Sequence, residues 1–394
     1  MFSGRTPTIH ATNRMARALA ERAAPPLDLT VSNPTAVGLD VSGDPLAPLA
    51  DPRGCVYAPE PAGIVIARRA VAESYACRGV AADPSRIVLT ASSSEAYGWL
   101  FKLLCDPGDS VLVPAPSYPL LDALAGLEGV RIGRYPLDPD GGWTFHASSV
   151  EREVERLAVS GGRVGAVVLV SPNNPTGSGV ARGELLALLS LARTRDFAVV
   201  SDEVFLDYRF AGGSDEVPVS AAHAEEGGAL VVSLGGLSKS AGLPQLKLGW
   251  MLLGGPENAV REARARLEWI ADSYLSVGTP VQIALPELLS WGEMAAAAIR
   301  ERVRTNHATL ARAFPAGAST AAEPLRGGWS AVLRVPAVEA EEDLVLRLLA
   351  EHDLLVHPGF FYDFPVEAFL VLSLLPSPDL FAEGVARLSL ALGS

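Results

Sequence analysis

The sequence predicts an α/β protein with a mainly parallel sheet. Two patterns lead there. Between residues 86 and 253, short apolar runs rich in β-branched residues alternate with stretches of helical spacing, the rhythm of parallel strands covered by helices on both faces. Beyond residue 256 the pattern changes to a long helical region, and strands resume only from about 327.

In chain order the predicted strands are RIVLT (86–90), SVLVP (110–114), VGAVVLVS (164–171), FAVVSD (197–202), LVVSL (230–234) and KLGWMLL (247–253). Residues 256–314 are rich in Ala, Glu, Arg and Leu and are interrupted around Gly278 and Pro280. The expected organisation is an arm over 1–50, Pro- and Gly-rich with one helix and part of the small domain. A large domain follows over 51–280, then a connecting helix and small α+β domain over 281–394.

Composition narrows the function. The 394 residues carry 32 basic against 45 acidic side chains, a net charge of -13, which repels polyanions and argues against nucleic acid or an anionic membrane as partner. Three cysteines, Cys55, Cys77 and Cys105, have neither CxxC spacing nor adjacent histidines, so no disulfide framework or zinc site is expected. A cytoplasmic setting fits best, because no apolar run is long enough for a membrane span and the arginine-studded first 25 residues lack a signal-like segment.

In open α/β sheets ligands sit beyond the carboxyl ends of the strands. Four segments in such positions are unusual: ASSSEA after the first run, SPNNPTG after the third, SDEVF ending the fourth, and GGLSKS after the fifth. Singly, each has a structural explanation as a turn, a helix cap or a solvated lysine.

In this order they resemble the motifs of the class I/II, fold-type I pyridoxal-phosphate aminotransferases, a similarity running from about Leu27 to the C-terminus. The resemblance implies a mainly parallel seven-stranded sheet, pyridoxal 5'-phosphate as cofactor, and Lys239 holding it as a Schiff base. Asp202 would pair with the ring nitrogen and Asn174 would hydrogen-bond the ring O3'. An ionised carboxylate at that nitrogen keeps it protonated and lets the ring accept electrons. Lys239, once displaced, would move the proton, a task for an amine of lowered pKa.

ASSSEA, at a strand-to-helix junction, offers free N–H groups and hydroxyls to a phosphate, with Ser93 and Ser94 the candidates and Ser238 a further hydroxyl. PAPSYP resembles the segment whose aromatic residue covers the cofactor ring, here Tyr118. YAPEPAG resembles one that crosses a dimer interface, so Tyr57 would touch the partner subunit's cofactor phosphate in a homodimer with shared sites.

Three positions depart from the family pattern. Phe205 replaces the tyrosine of the acidic–aromatic segment, which leaves Asn174 as the main donor to O3' and raises the expected Schiff-base pKa. Lys247 stands where an arginine would meet the phosphate, keeping the charge without the bidentate fork. Val371, in Val371-Leu372-Ser373, replaces the arginine that clamps the substrate α-carboxylate. Possible substitutes or substrate contacts are His357, Arg334, Ser32 and Asn33, and the aromatics of PGFFYDF are either a substrate pocket or small-domain core.

The expected function is an aminotransferase moving an amino group between an amino acid or amine and a 2-oxo acid. The alternative is a lyase or cyclase, by elimination or replacement, on the same cofactor. A non-catalytic sensor is disfavoured, since no basic helix-turn-helix-like extension is legible.

Overall fold

The computed structural model describes residues 2–6, 13–57, 59–210 and 220–393; Ala58 of the YAPEPAG segment lies outside them. The large sheet contains β2 (Ile87–Thr90), β3 (Ser110–Ala115), β4 (Arg131–Pro136), β5 (Val164–Val170), β6 (Ala198–Asp202), β7 (Val231–Gly236) and β8 (Gly249–Gly254), with β1 (Leu27–Asp28) preceding it in the chain. Their spatial order is β2-β8-β7-β6-β5-β3-β4. Only β8 is antiparallel to its neighbours, so six strands point the same way and the residues following them share one edge.

The sheet is buried on both faces because its strands carry apolar residues at odd and even positions alike. Leu89, Leu112, Val167, Val199 and Val231 enter one core, while Val88, Val111, Val168, Val200 and Val232 enter the other. All six predicted strands form, with β8 starting at Gly249 rather than at Lys247. The strand missing from the prediction is β4, whose RIGRYP sequence is largely solvent-facing at the sheet edge. An edge strand needs no continuous apolar run, so that criterion passed over it.

The helical region resolves into Glu257–Asp272 and a 35-residue helix, Thr279–Ala313, with Gly278 as its N-cap and Pro280 in its first turn. This long helix leads to a second sheet of β9 (Ala321–Ala322), β10 (Ser330–Arg334), β12 (His357–Pro358) and β13 (Phe369–Ser373), in the order β12-β13-β10-β9. The short β11 (Leu354–Leu355) pairs in parallel with β1 and ties the arm to this sheet. Ser373 strengthens the tie: its N–H donates to Leu29 O at 2.7 Å and its hydroxyl to Val31 O at 2.6 Å.

The two sheets meet closely where the loop after β5 touches the loop before β10. A Cβ at Gly177, whose φ is +70°, would lie 2.4 Å from the carbonyl oxygen of Gly327, so only glycine permits this approach. Among the described residues no helix is long and apolar enough to cross a membrane.

Candidate active site

The chain has three lysines, 102, 239 and 247, and their surroundings differ sharply. Lys102 is ion-paired with Glu128, and Lys247 is exposed. Lys239 follows β7 in the short turn Leu237–Ser240. Its Nζ lies 4.7 Å from the ring centre of Trp329 and 5.4 Å from that of Phe205. Burial lowers its pKa to about 8, against an opposing pull from Asp202, so the amine is neutral in much of the population at mildly alkaline pH.

Aromatic packing fixes this lysine. Tyr208 and Trp329 meet edge-on at 4.9 Å and Phe205 and Trp329 at 5.4 Å, and the Tyr208 hydroxyl donates to the Lys239 carbonyl at 2.7 Å. Edge-to-face pairs contribute roughly 0.5–1.5 kcal/mol beyond their buried area. Among the described residues the buried Trp329 indole N–H has no hydrogen-bond partner.

Asp202 ends β6, next to β7 in the sheet. Its carboxylate accepts from the Tyr97 hydroxyl at 2.9 Å and from the Val204 N–H at 3.2 Å. Burial raises its pKa, while these bonds and Lys239 pull the other way. A cation arriving here would therefore be strongly stabilised. The neighbouring Glu203 plays no part in this edge: it is buried, accepts from Ser220 N at 2.7 Å and Ser233 Oγ at 3.0 Å, and is pushed up to about 7 by desolvation.

Ser93 and Ser94 open the helix Ser93–Leu104, with Ser92 as the cap. The Ser92 hydroxyl accepts from Glu95 N at 3.2 Å and the Glu95 carboxylate accepts from Ala91 N at 2.6 Å, a reciprocal cap. The N–H groups of Ser93 and Ser94 are left open by the helix geometry, and among the described residues the Ser93, Ser94 and Ser238 hydroxyls make no hydrogen bond. Lys247, at φ +49°, precedes β8 on this edge.

In the loop after β5 the two asparagines divide the work. Asn173 holds the loop, accepting from Thr176 Oγ1 at 2.9 Å. Asn174 is half-buried, and its Oδ1 accepts from the Ser330 hydroxyl at 3.2 Å. Ser330 lies on β10, so this bond joins the large-sheet edge to the small sheet.

Tyr118 follows β3 on the same edge and is 53% exposed. Tyr57 is 78% exposed. Ser32 and Asn33 are exposed on the arm beside the end of β13; the Asn33 side chain caps a turn by accepting from Thr35 N at 3.1 Å. His357 is half-buried on β12, with Nδ1 3.1 Å from the Tyr362 hydroxyl. Arg334 faces solvent in an ion pair with Glu323 at 3.1 Å, so it is no substitute clamp. Of the PGFFYDF aromatics, Phe364 is core, stacked 4.6 Å from Phe369, whereas Phe361 sits beside His357.

Sequence reasoning missed Tyr97, Tyr208, Trp329 and Ser330. Tyr97 was within reach: it lies three and four residues beyond Ser94 and Ser93, hence on their helix face. The other three come from a spatial meeting of distant segments.

The arrangement fits a phosphorylated aromatic aldehyde. A depressed lysine amine suits Schiff-base formation, a buried carboxylate beside it suits a ring cation, and the open helix N-terminus suits the phosphate. Together with the mainly parallel sheet this defines a fold-type I pyridoxal-phosphate enzyme.

Residues 47–386 match the family model for aminotransferase class I and II, and the chain belongs to that family, whose members use pyridoxal phosphate. It is 32% identical over 304 residues to 1-aminocyclopropane-1-carboxylate synthase 3 of Oryza sativa subsp. japonica, covering 70% of this chain and 65% of that one. With glutamate-pyruvate aminotransferase AlaA of Haemophilus influenzae it shares 27% over 266 residues, 67% of this chain and 63% of the other. The chain thus spans slightly under two thirds of these relatives' lengths. A Thermus thermophilus aspartate aminotransferase double mutant superposes with a TM-score of 0.81 at 24% identity, over 100% of both chains, a likeness of fold.

Proposed function

We propose that the protein is a pyridoxal-phosphate-dependent aminotransferase that moves an amino group between an amino acid or amine and a 2-oxo acid. The reading rests above all on Lys239, the one lysine of three whose amine is buried beside a carboxylate at the carboxyl edge of the sheet.

In this reading Lys239 and Asp202 are the catalytic residues, with Ser93, Ser94, Ser238 and Lys247 at the phosphate, Asn174 at O3' and Tyr118 beside the ring. Tyr57 reaches the site of a second copy in a homodimer with shared active sites. Residues 51–280 form the cofactor-binding unit, and the arm with 281–394 closes over substrate, bringing Ser32, Asn33 and His357 near it. The setting is cytoplasmic, and the partners are a small-molecule amino donor and a 2-oxo acid.

When bound, the cofactor supplies an electron sink for the carbon bearing the amino group. The chain's residues do the rest. Lys239, neutral above about pH 8 and held by Tyr208 through its own carbonyl, takes the proton from the donor carbon and returns it on the cofactor side. Asp202, fixed by Tyr97 and Val204, balances positive charge at the ring nitrogen. Phe205 and Trp329 keep water from the lysine. With water supplying the carbonyl oxygen, the donor would leave as a carbonyl compound, and its amino group would pass by way of the bound cofactor to the 2-oxo acid in the reverse sequence.

Elimination or replacement remains the second reading, favoured by Phe205 and Val371. Incubation with amino donors and no oxo acid separates the two. The aminated form of the cofactor must accumulate for a transaminase, whereas ammonia with unchanged cofactor would establish a lyase.

A further inference from the structure

One face of the long helix Thr279–Ala313 grips the arm beside Lys239. Ile299, Arg302 and Asn306 are three and four residues apart and so lie on that face together. Ile299 and Pro34 of the arm both pack against Gly242, where an added Cβ would meet the Ile299 Cδ1 at 3.5 Å and the Pro34 ring at 3.6 Å. Gly242 closes the Lys239 turn, its N–H donating to the Lys239 carbonyl at 3.2 Å. Pro34 is buried, so the arm is seated on the turn that carries the lysine.

Arg302 fastens two distant segments at once. Its Nη1 donates to Val37 O at 2.5 Å and to Leu375 O at 3.4 Å, and its Nη2 donates to Gly38 O at 3.0 Å. One turn further along the helix, the Asn306 amide donates to Leu374 O at 2.9 Å and to Pro376 O at 2.8 Å. The same stretch after β13 reaches back to the site, since the Leu374 N–H donates to Trp329 O at 2.7 Å. The arm is therefore held on both sides of Ser32 and Asn33: Ser373 bonds the carbonyls of Leu29 and Val31 before them, and Arg302 those of Val37 and Gly38 after them.

Among the described residues Arg302 has no carboxylate partner. Its half-buried charge is met instead by three backbone carbonyls from two segments. A planar fork can span such a pair of segments, whereas a single ammonium cannot reach all three oxygens in fixed directions.

We propose that Arg302 is a positioning residue for the amino donor: by tying Val37 and Gly38 to the chain after β13, it holds residues 32–36 against the Lys239 turn as one wall of the donor site. The proposal rests on the reading in which the arm lies over substrate. Arg302 acts through the arm and touches no reacting atom. Its loss weakens donor binding and leaves proton transfer by Lys239 nearly unchanged.

The test compares reconstituted parent, Arg302→Met and Arg302→Lys, each checked for folding by circular dichroism. Methionine keeps an apolar stem and removes the fork, while lysine keeps the charge with one donor centre. Hydrogen exchange read by mass spectrometry follows the arm without turnover. In Arg302→Met the peptide spanning 32–38 exchanges faster by about tenfold or more, as expected for lost bonds to a charged group, while the peptide spanning 237–243 keeps the parent's rate. Unchanged exchange in the arm of the folded variant overturns the proposal.

Amination of the cofactor by alanine, phenylalanine and aspartate, followed in a single turnover, gives a half-saturating concentration and a limiting rate for each donor. In Arg302→Met the half-saturating concentration rises about tenfold or more while the limiting rate changes less than about threefold. Arg302→Lys falls between the two on both readouts. A lower limiting rate with unchanged half-saturation overturns the role in donor binding. If Arg302→Met does not fold, Arg302→Lys decides by the same comparisons. A parent that none of the three donors aminates counts against the transaminase reading, while the exchange comparison still scores Arg302.

Discussion

The Tyr97 hydroxyl donates a 2.9 Å hydrogen bond to the Asp202 carboxylate, linking the helix that Ser93 and Ser94 open to the carboxylate proposed to face the ring nitrogen. The bond favours the ionised carboxylate against the burial that disfavours it. Tyr97→Phe removes it, so Asp202 holds its proton to higher pH. The acid limb of the kcat/KM profile moves upward by about one unit and the plateau falls roughly tenfold, matching a hydrogen bond to a charged group of about 1.5–3 kcal/mol. Profiles of parent and variant that coincide would remove Asp202 from this account.

Phe205 turns its ring toward the Lys239 amine, 5.4 Å from the ring centre, and in the proposed reading a hydroxyl on that ring would reach O3'. Phe205→Tyr restores a donor to the anionic form of the cofactor and lowers the Schiff-base pKa by roughly one to two units. Absorbance titration of the reconstituted variant beside the parent measures the shift; an upward or absent shift counts against Phe205 facing the cofactor.

Glu203 gives a prediction in which the site's chemistry plays no part. Its folded-state pKa, about 7, lies above the ordinary glutamate value of 4.5. Its contribution is thus fully present below about pH 4.5 and declines as pH rises through 7, because the unfolded chain ionises more readily. Glu203→Gln removes this cost, and its stability relative to the parent improves between pH 5 and pH 8 by about 1–3 kcal/mol. Denaturant unfolding at the two pH values measures it, and a relative stability that falls with pH would contradict the assignment.

Trp329 is buried at 2% and packs on both Phe205 and Tyr208. Trp329→Ala leaves a cavity at the junction of the two sheets and costs about 3–5 kcal/mol of unfolding free energy. Trp329→Phe keeps most of the packing and loses about half as much or less. Equal losses in the two variants would contradict the account in which the ring's bulk holds the junction.

Much of this was legible in the sequence because it is local. Buried parallel strands announce themselves as Val-rich runs, and Asp202, Lys239, Ser93 and Asn174 each follow a run directly. β4 was hidden because an exposed edge strand needs no apolar run. Trp329 and Ser330 were hidden because their meaning comes from contacts with Lys239 and Asn174, 90 and 156 residues away in the chain. The loss of arginine at Val371 was visible in sequence, but the pairing of His357 beside it appears only in the register of β12 on β13.

The central claim is that Lys239 carries the cofactor, and with three lysines in the chain it can be tested by location. Reducing the reconstituted protein with borohydride, digesting it and weighing the peptides locates the fixed pyridoxyl group. The account predicts one adduct per chain, on the peptide containing Lys239, and none in Lys239→Ala. An adduct on Lys102 or Lys247, or a Lys239→Ala variant that still turns over donor, would contradict it.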